Sequence, residues 1–345
     1  MTDTLAPKPS DDAFAATAPL LKADNLCVGF RTDAGTVNAV SDVSFEIHPG
    51  EVLAVVGESG SGKSVTALAL MRLHPRNTDI TGDVMFDGID LLSLTDAQMR
   101  SIRGRDIAMI FQDPMTALNP VFTVGEQIAE AIRIHNDVTK PQAWERSVDL
   151  LQLVGVPEPK RRAAQHPHEY SGGMRQRAMI AMAISNDPKL LIADEPTTAL
   201  DVTVQAQVME VLHDVQEATG SAMMLITHDL GLVAGSADRV QVMYASRLME
   251  TGDLDDIFYE SSNPYTRALL ESIPDLQGVK ESLEPIPGNP PSLLNPPSGC
   301  AFRPRCFMAG EECAGSVPEL ITIEGHHASR CHRISAMPAP VGVPS

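Results

Sequence analysis

"GESGSGKS", residues 57–64, follows the apolar run "VLAVV" (52–56) and leads into "VTALALMRL", whose apolar residues recur at helical spacing. A buried strand, a glycine-rich loop and a helix start, in that order, form a cradle for phosphate. Glycines let backbone N–H groups wrap an anion, and the helix N-terminus adds a favourable dipole. The stretch meets the pattern G-x-x-x-x-G-K-[ST] through Gly57, Gly62, Lys63 and Ser64, with Glu58, Ser59, Gly60 and Ser61 between them and Val65 following. Lys63 offers a point charge to β- and γ-phosphates, and the Ser64 hydroxyl offers a ligand to Mg²⁺. A chance lysine in a glycine-rich turn would not explain the strand before it and the helix after it. The loop therefore sets the fold class as α/β, with parallel strands whose C-terminal ends carry the site.

Working outward, "LLIADEP" (190–196) is an apolar run ending in two carboxylates, and "MMLIT" (223–227) is a third short apolar run. Two acids after a strand commonly form a solvated turn. Beside a phosphate loop, Asp194 fits a second Mg²⁺-site ligand, and Glu195 fits the group that activates or orients the attacking water. Residues 123–164 read as helical, with apolar positions three and four apart in "VGEQIAEAIRIHN" and "AWERSVDLLQLVG".

The chain has 345 residues, 43% hydrophobic and 21% charged, enough for one large domain with an extension or for two domains. A net charge of −19 argues against nucleic-acid or anionic-membrane surface binding. No apolar run approaches the roughly 18 residues that span a bilayer. Residues 1–21 read as a flexible tail rather than a secretory signal, since their acidic residues accompany no apolar core. A cytosolic setting follows, in which cysteines stay reduced.

"YSGGMRQR" (170–177) places Ser171, Gly172 and Gly173 before the helical run "MRQRAMIAMAI", a second anion-ready helix start. Alone it would read as a serine-capped helix. With the phosphate loop it resembles the signature motif of ABC-type ATPases, in which two subunits sandwich ATP and each signature faces the partner's phosphate loop. The resemblance assigns Gln112 of "MIFQDP" to the Q-loop, where it reaches the Mg²⁺/water site and the membrane partner. It assigns Asp201 of "TTALD" to the D-loop and His228 of "LITHD" to the switch histidine at the γ-phosphate. Phe30 in "LCVGF" is its candidate adenine-stacking aromatic, with a core position as the alternative. The implied fold is a RecA-like core with an antiparallel β subdomain and a helical subdomain, over residues 22–262.

"IFQDPMTALNP", "ADEPTTALDVTVQAQV", "NPYTRALLESIP" and "IPGNPPSLLNPPSGCAFRPRC" narrow the resemblance to ATP-binding subunits of oligopeptide/dipeptide importers. Met174 replaces the glutamine of the generic signature and is familiar in this subfamily. The resemblance implies ATP hydrolysis that powers uptake, at the cytoplasmic face of a bacterial inner membrane. The implied partners are a second, different ATPase subunit, two permeases and an extracytoplasmic solute-binding protein. Nickel, opine, glutathione and sugar importers use closely similar ATPases, and a soluble non-transport ABC ATPase is a further alternative.

Residues 263–345 read as a separate extension. Seven prolines in 285–304 disfavour regular helix or a central strand. Four of the five cysteines follow, Cys300, Cys306, Cys313 and Cys331, spaced C-x5-C-x6-C-x17-C. Zinc-ribbon C-x2-4-C pairs are absent, although His326, His327 and His332 could join a zinc site. Four thiolates suit an iron–sulfur cluster, and the matching region of some peptide-importer ATPases holds a [4Fe–4S] cluster. Cluster, zinc and free thiols stay open, and the stretch is expected to lie outside the ATP chemistry.

Overall fold

The computed structural model describes residues 17–113, 117–198, 200–273 and 286–338. Most of the expected N-terminal tail, residues 114–116 of the "IFQDPMTALNP" stretch and Ala199 of "TTALD" lie outside the described residues.

Two sheets carry the fold. The first is antiparallel, in the order β2-β1-β4-β5, from β1 (Leu21–Thr32), β2 (Gly35–Ile47), β4 (Thr78–Phe86) and β5 (Ile89–Asp90). Its long strands alternate buried and exposed residues, as a sheet with one covered face should. The second runs β11-β12-β10-β9-β3-β8-β7-β6. Its parallel centre is β3 (Val52–Val56), β6 (Ile107–Ile110), β7 (Leu190–Asp194), β8 (Ala222–Thr227) and β9 (Arg239–Tyr244), and every residue of these five strands is buried. That is why β3, β6, β7 and β8 read as apolar runs, whereas β9 buries Arg239 and Gln241 among its apolar residues.

Helix α1 (Lys63–Leu70) continues from the phosphate loop, and α2 (Asp96–Ile102) follows the antiparallel sheet. The expected helical region is α3 (Val124–His135), α4 (Lys140–Leu153) and α5 (Pro159–Ala163). Thr123 and Thr139 begin α3 and α4 with reciprocal capping boxes to Glu126 and Gln142. Helix α6 (Gly172–Ala183) is capped by Ser171 and α7 (Val202–Thr219) by Asp201.

Beyond residue 262 the chain returns to the core. After β10 (Arg247–Asp253) and α8 (Leu254–Phe258), α9 (Pro264–Glu271) is capped by Asn263. The Asn263 amide also donates to the carbonyls of Met249, at 3.0 Å, and Arg330, at 3.2 Å. The described proline-rich residues 286–302 form neither helix nor strand, and α10 (Glu312–Gly315) is a single turn. Strands β11 (Ile321–Glu324) and β12 (His327–Ser329) then extend the large sheet, with Glu250 opposite Ser329 and Thr251 opposite Ala328. Tyr244, Tyr265 and Phe302 meet with ring centroids 4.5–5.4 Å apart, joining β9, α9 and the cysteine segment in one apolar cluster.

Candidate active site

The phosphate loop owes its shape to close backbone packing. Gly57 has φ +148°, and a Cβ there would stand 2.1 Å from the Met243 carbonyl oxygen. Gly62, at φ +109°, would place one 2.4 Å from the Ala39 carbonyl oxygen. Only glycine fits either position. Lys63 is buried and donates to the carbonyls of Gly57, at 2.7 Å, and Glu58, at 3.0 Å. Burial lowers its pKa, against the opposing charges of Glu195, Asp194 and Glu58.

Ser64 Oγ donates to Asp194 Oδ1 at 2.8 Å, joining the start of α1 to the end of β7. Desolvation raises the Asp194 pKa, the Ser64 bond and Lys63 oppose this, and Glu195 adds to it. A buried carboxylate touching a hydroxyl beside a lysine is a donor set suited to Mg²⁺.

Glu195 takes a left-handed backbone, φ +46°, with its N–H bound to the Ile226 carbonyl at 2.9 Å. This sharp exit from β7 turns its carboxylate toward three groups. Oε2 accepts from Gln112 Nε2 at 3.1 Å and Thr198 Oγ1 at 2.7 Å, and His228 Nδ1 lies 3.5 Å away. His228 is 59% exposed and Glu195 13%, so the acid is sheltered while the histidine faces the opening. Gln112 bonds to Glu195 rather than to the Ser64–Asp194 pair.

Most of these groups border one open cleft of about 900 Å³, with Gly57, Asp194 and Thr198 set behind its lining. Phe30, Glu58, Ser59, Gly60, Gly62, Lys63, Ser64, Val65, Gln112, Glu195 and His228 all line it. Phe30 also meets His74 edge-on, with ring centroids 5.5 Å apart. Ser171, Gly172, Gly173 and Asp201 do not line it. They pack on each other's elements, and a Cβ on Gly173 would approach Val204 Cγ1 to 3.0 Å.

The wall has contributors that motif reading missed: Leu269 and Ser272 from the end of α9, and Ile286, Pro290 and Leu293 from the proline-rich segment. Glu58 has partners of the same origin. Its N–H donates to Tyr265 Oη at 2.9 Å, and its carboxylate accepts two bonds from Arg305, at 2.6 and 2.9 Å. Arg305 directly precedes Cys306, so the cysteine stretch touches the phosphate loop through Glu58, although none of its residues lines the cleft. "NPYTRALL" was visible as a subfamily mark, but nothing in its spacing gives Tyr265 a partner 207 residues away.

All five cysteines are free thiols. Cys300, Cys306, Cys313 and Cys331 line one small cavity together with Phe302 and Met308. Among the described residues, no group of three or more His, Cys, Asp or Glu is arranged to hold a metal ion. The iron–sulfur and zinc expectations therefore find converging thiols and no ready-made centre. With no metal bound, burial raises the pKa of Cys300 and Cys331 and pushes that of Cys306 up to about 11. Thiols without a metal pack as small apolar groups. Even so, Cys306 Sγ accepts from the Met308 N–H at 3.4 Å and Cys331 Sγ from the Arg333 N–H at 3.3 Å.

The family model described as ABC transporter matches residues 40–198, and that of the oligopeptide/dipeptide transporter C-terminal region matches 249–313. A peptide import ATP-binding protein of Brucella abortus is 52% identical over 316 residues, covering 91% of this chain and 95% of its own. The oligopeptide transport ATP-binding protein OppD of Haemophilus influenzae is 50% identical over 313 residues, covering 91% and 97%. Among solved structures, a dimeric ATP-binding cassette in a post-hydrolysis state with ADP and Pi matches at TM-score 0.61 and 26% identity, covering 68% of this chain and 98% of that one. A part of an ABC transporter complex from Clostridium perfringens matches at TM-score 0.59 and 25% identity, covering 70% and 90%. The chain belongs to the ATP-binding proteins of ABC transporters, in the oligopeptide/dipeptide branch.

Proposed function

We propose that this chain is the ATP-hydrolysing subunit of an importer for oligopeptides or dipeptides, with residues 22–262 as its nucleotide-binding domain. The carrying observation is the convergence of Gln112, Thr198 and His228 on the Glu195 carboxylate, beside a complete phosphate loop. In this reading the loop N–H groups and Lys63 hold the β- and γ-phosphates, and Phe30 faces the adenine. Glu195 accepts a proton from, or orients, the attacking water, while His228 and Gln112 fix its carboxylate. Ser64 and Asp194, with Gln112 nearby, would hold Mg²⁺, which when bound neutralises charge on the phosphates.

Ser171 and Gly173, which do not line their own cleft, would serve the γ-phosphate of a second ATPase subunit, with Asp201 at the same interface. A different chain as that subunit agrees with the subfamily's usual arrangement. Two permeases and a solute-binding protein complete the assembly. Among the described residues no helix is long and apolar enough to cross a membrane, which suits a peripheral subunit docked on permeases at the cytoplasmic face. A Glu195→Gln variant is the test. Hydrolysis is expected to fall at least about 100-fold while MgATP still binds, and parent-like turnover would remove Glu195 from its role.

A [4Fe–4S] cluster on Cys300, Cys306, Cys313 and Cys331 is the finer reading of the C-terminal cavity, with zinc as its alternative. It is supported by four thiols around one space and by backbone N–H groups aimed at sulfur, a feature that tunes metal thiolates. Anaerobic purification followed by visible absorption and iron/sulfide analysis is expected to find the cluster. One equivalent of zinc without iron or sulfide would sink it.

A further inference from the structure

A carboxylate inside a phosphate loop is an electrostatic liability, because it faces the same polyanion that the loop must bind. Glu58 is such a group and lines the cleft. Its charge is met by the two-pronged contact from Arg305, whose side chain is only 4% exposed. Bidentate pairs of this kind fix geometry as well as charge.

The remaining guanidinium donors are also used. Arg305 Nε donates to the Pro287 carbonyl at 2.8 Å, Nη1 to Tyr244 Oη at 3.2 Å and Nη2 to the Ile286 carbonyl at 3.3 Å. The guanidinium carbon lies 5.7 Å from the Tyr244 ring centroid and 5.9 Å from that of Phe302. One side chain thus ties together the phosphate loop, a cleft-lining residue of the proline-rich segment, the aromatic cluster and, through its neighbour Cys306, the cysteine cavity. Glu58 is equally constrained, since its N–H is held by Tyr265 and its carbonyl by Lys63.

We propose that Arg305 is a positioning residue for the ATP site: it neutralises and anchors Glu58, so that the C-terminal cysteine module sets the affinity of the phosphate loop for ATP. This rests on the ATP reading above.

The test is MgATP binding to the full chain by titration calorimetry. Arg305→Gln exposes the Glu58 charge to the triphosphate and is expected to raise Kd about tenfold, within the range of site-to-site coupling. Adding Glu58→Gln to that variant removes the charge and is expected to bring Kd back to within about threefold of the parent. A merely structural arginine predicts the opposite, because the double variant would bind no better than the single one. That result, or an Arg305→Gln Kd within about twofold of the parent, overturns the proposal. Arg305→Lys keeps charge and length but cannot hold both carboxylate oxygens, and it carries the test if the glutamine variant does not fold. A Kd about threefold above the parent is then expected, and a parent-like Kd overturns the proposal. A parent chain that does not bind MgATP would remove the ATP reading itself, and the clamp with it.

Discussion

Glu195 shows how backbone strain and chemistry meet in one residue. A left-handed conformation costs a non-glycine residue about 1–2 kcal/mol, and here it is offset by the N–H bond to Ile226 and by the bonds on the carboxylate. Glutamine at this position keeps a carbonyl oxygen that Thr198 can still reach, so the variant is expected to fold. What it loses is the negative charge that a departing water proton needs. Fold and ATP binding retained, with turnover lost, is therefore the pattern expected from thermal unfolding, calorimetry and phosphate release on the same sample.

The elements divide sharply in how legible they were. Strands β3, β7 and β8 stand out because both faces are buried and no polar residue interrupts them. The site residues stand out because phosphate chemistry demands fixed residue types at fixed spacing. Strand β12 has neither signal. "HAS" is three residues long, and its place is set by partners: His327 Nε2 lies 3.0 Å from Glu250 Oε1, both side chains being almost wholly buried. Arg305 and the cleft wall at Ile286, Pro290 and Leu293 were hidden for the same reason, since long-range packing rather than local pattern puts them there.

The His327–Glu250 pair makes this element sensitive to pH. Burial alone would lower the His327 pKa, but the hydrogen bond and charge of Glu250, with Asp256, outweigh it and raise it above the ordinary value. The folded form therefore holds this proton more tightly than the unfolded chain. Its contribution is complete below about pH 6.5 and is lost as pH rises through the folded pKa. Melting temperature is expected to decline with pH across that window, and a His327→Gln variant should flatten the decline. An unchanged slope in the variant would exclude the pair as its source.

At the level of the whole molecule, the start of α6 stands apart from the cleft lining. Ser171 caps α6 and does not line the cleft; in the reading proposed above, the chain would carry half of each of two composite sites. A Ser171→Arg variant is expected to bind MgATP within about twofold of the parent when isolated, at a cost of about 1 kcal/mol from the lost cap. In the assembled transporter the same variant should abolish most ATP turnover. Weakened binding in the isolated chain would show instead that Ser171 serves its own nucleotide.

The contact between Glu58 and Arg305 spans 247 positions of sequence, and this has a consequence in time. During synthesis the phosphate loop leaves the ribosome early, and β3 can find β8 and β9 long before Arg305 exists. Until then the nascent chain carries a loop with a bare carboxylate and a cleft without its proline-rich wall. If Arg305 positions the loop as proposed, the nucleotide site reaches its full affinity only after residue 305 has been translated and docked.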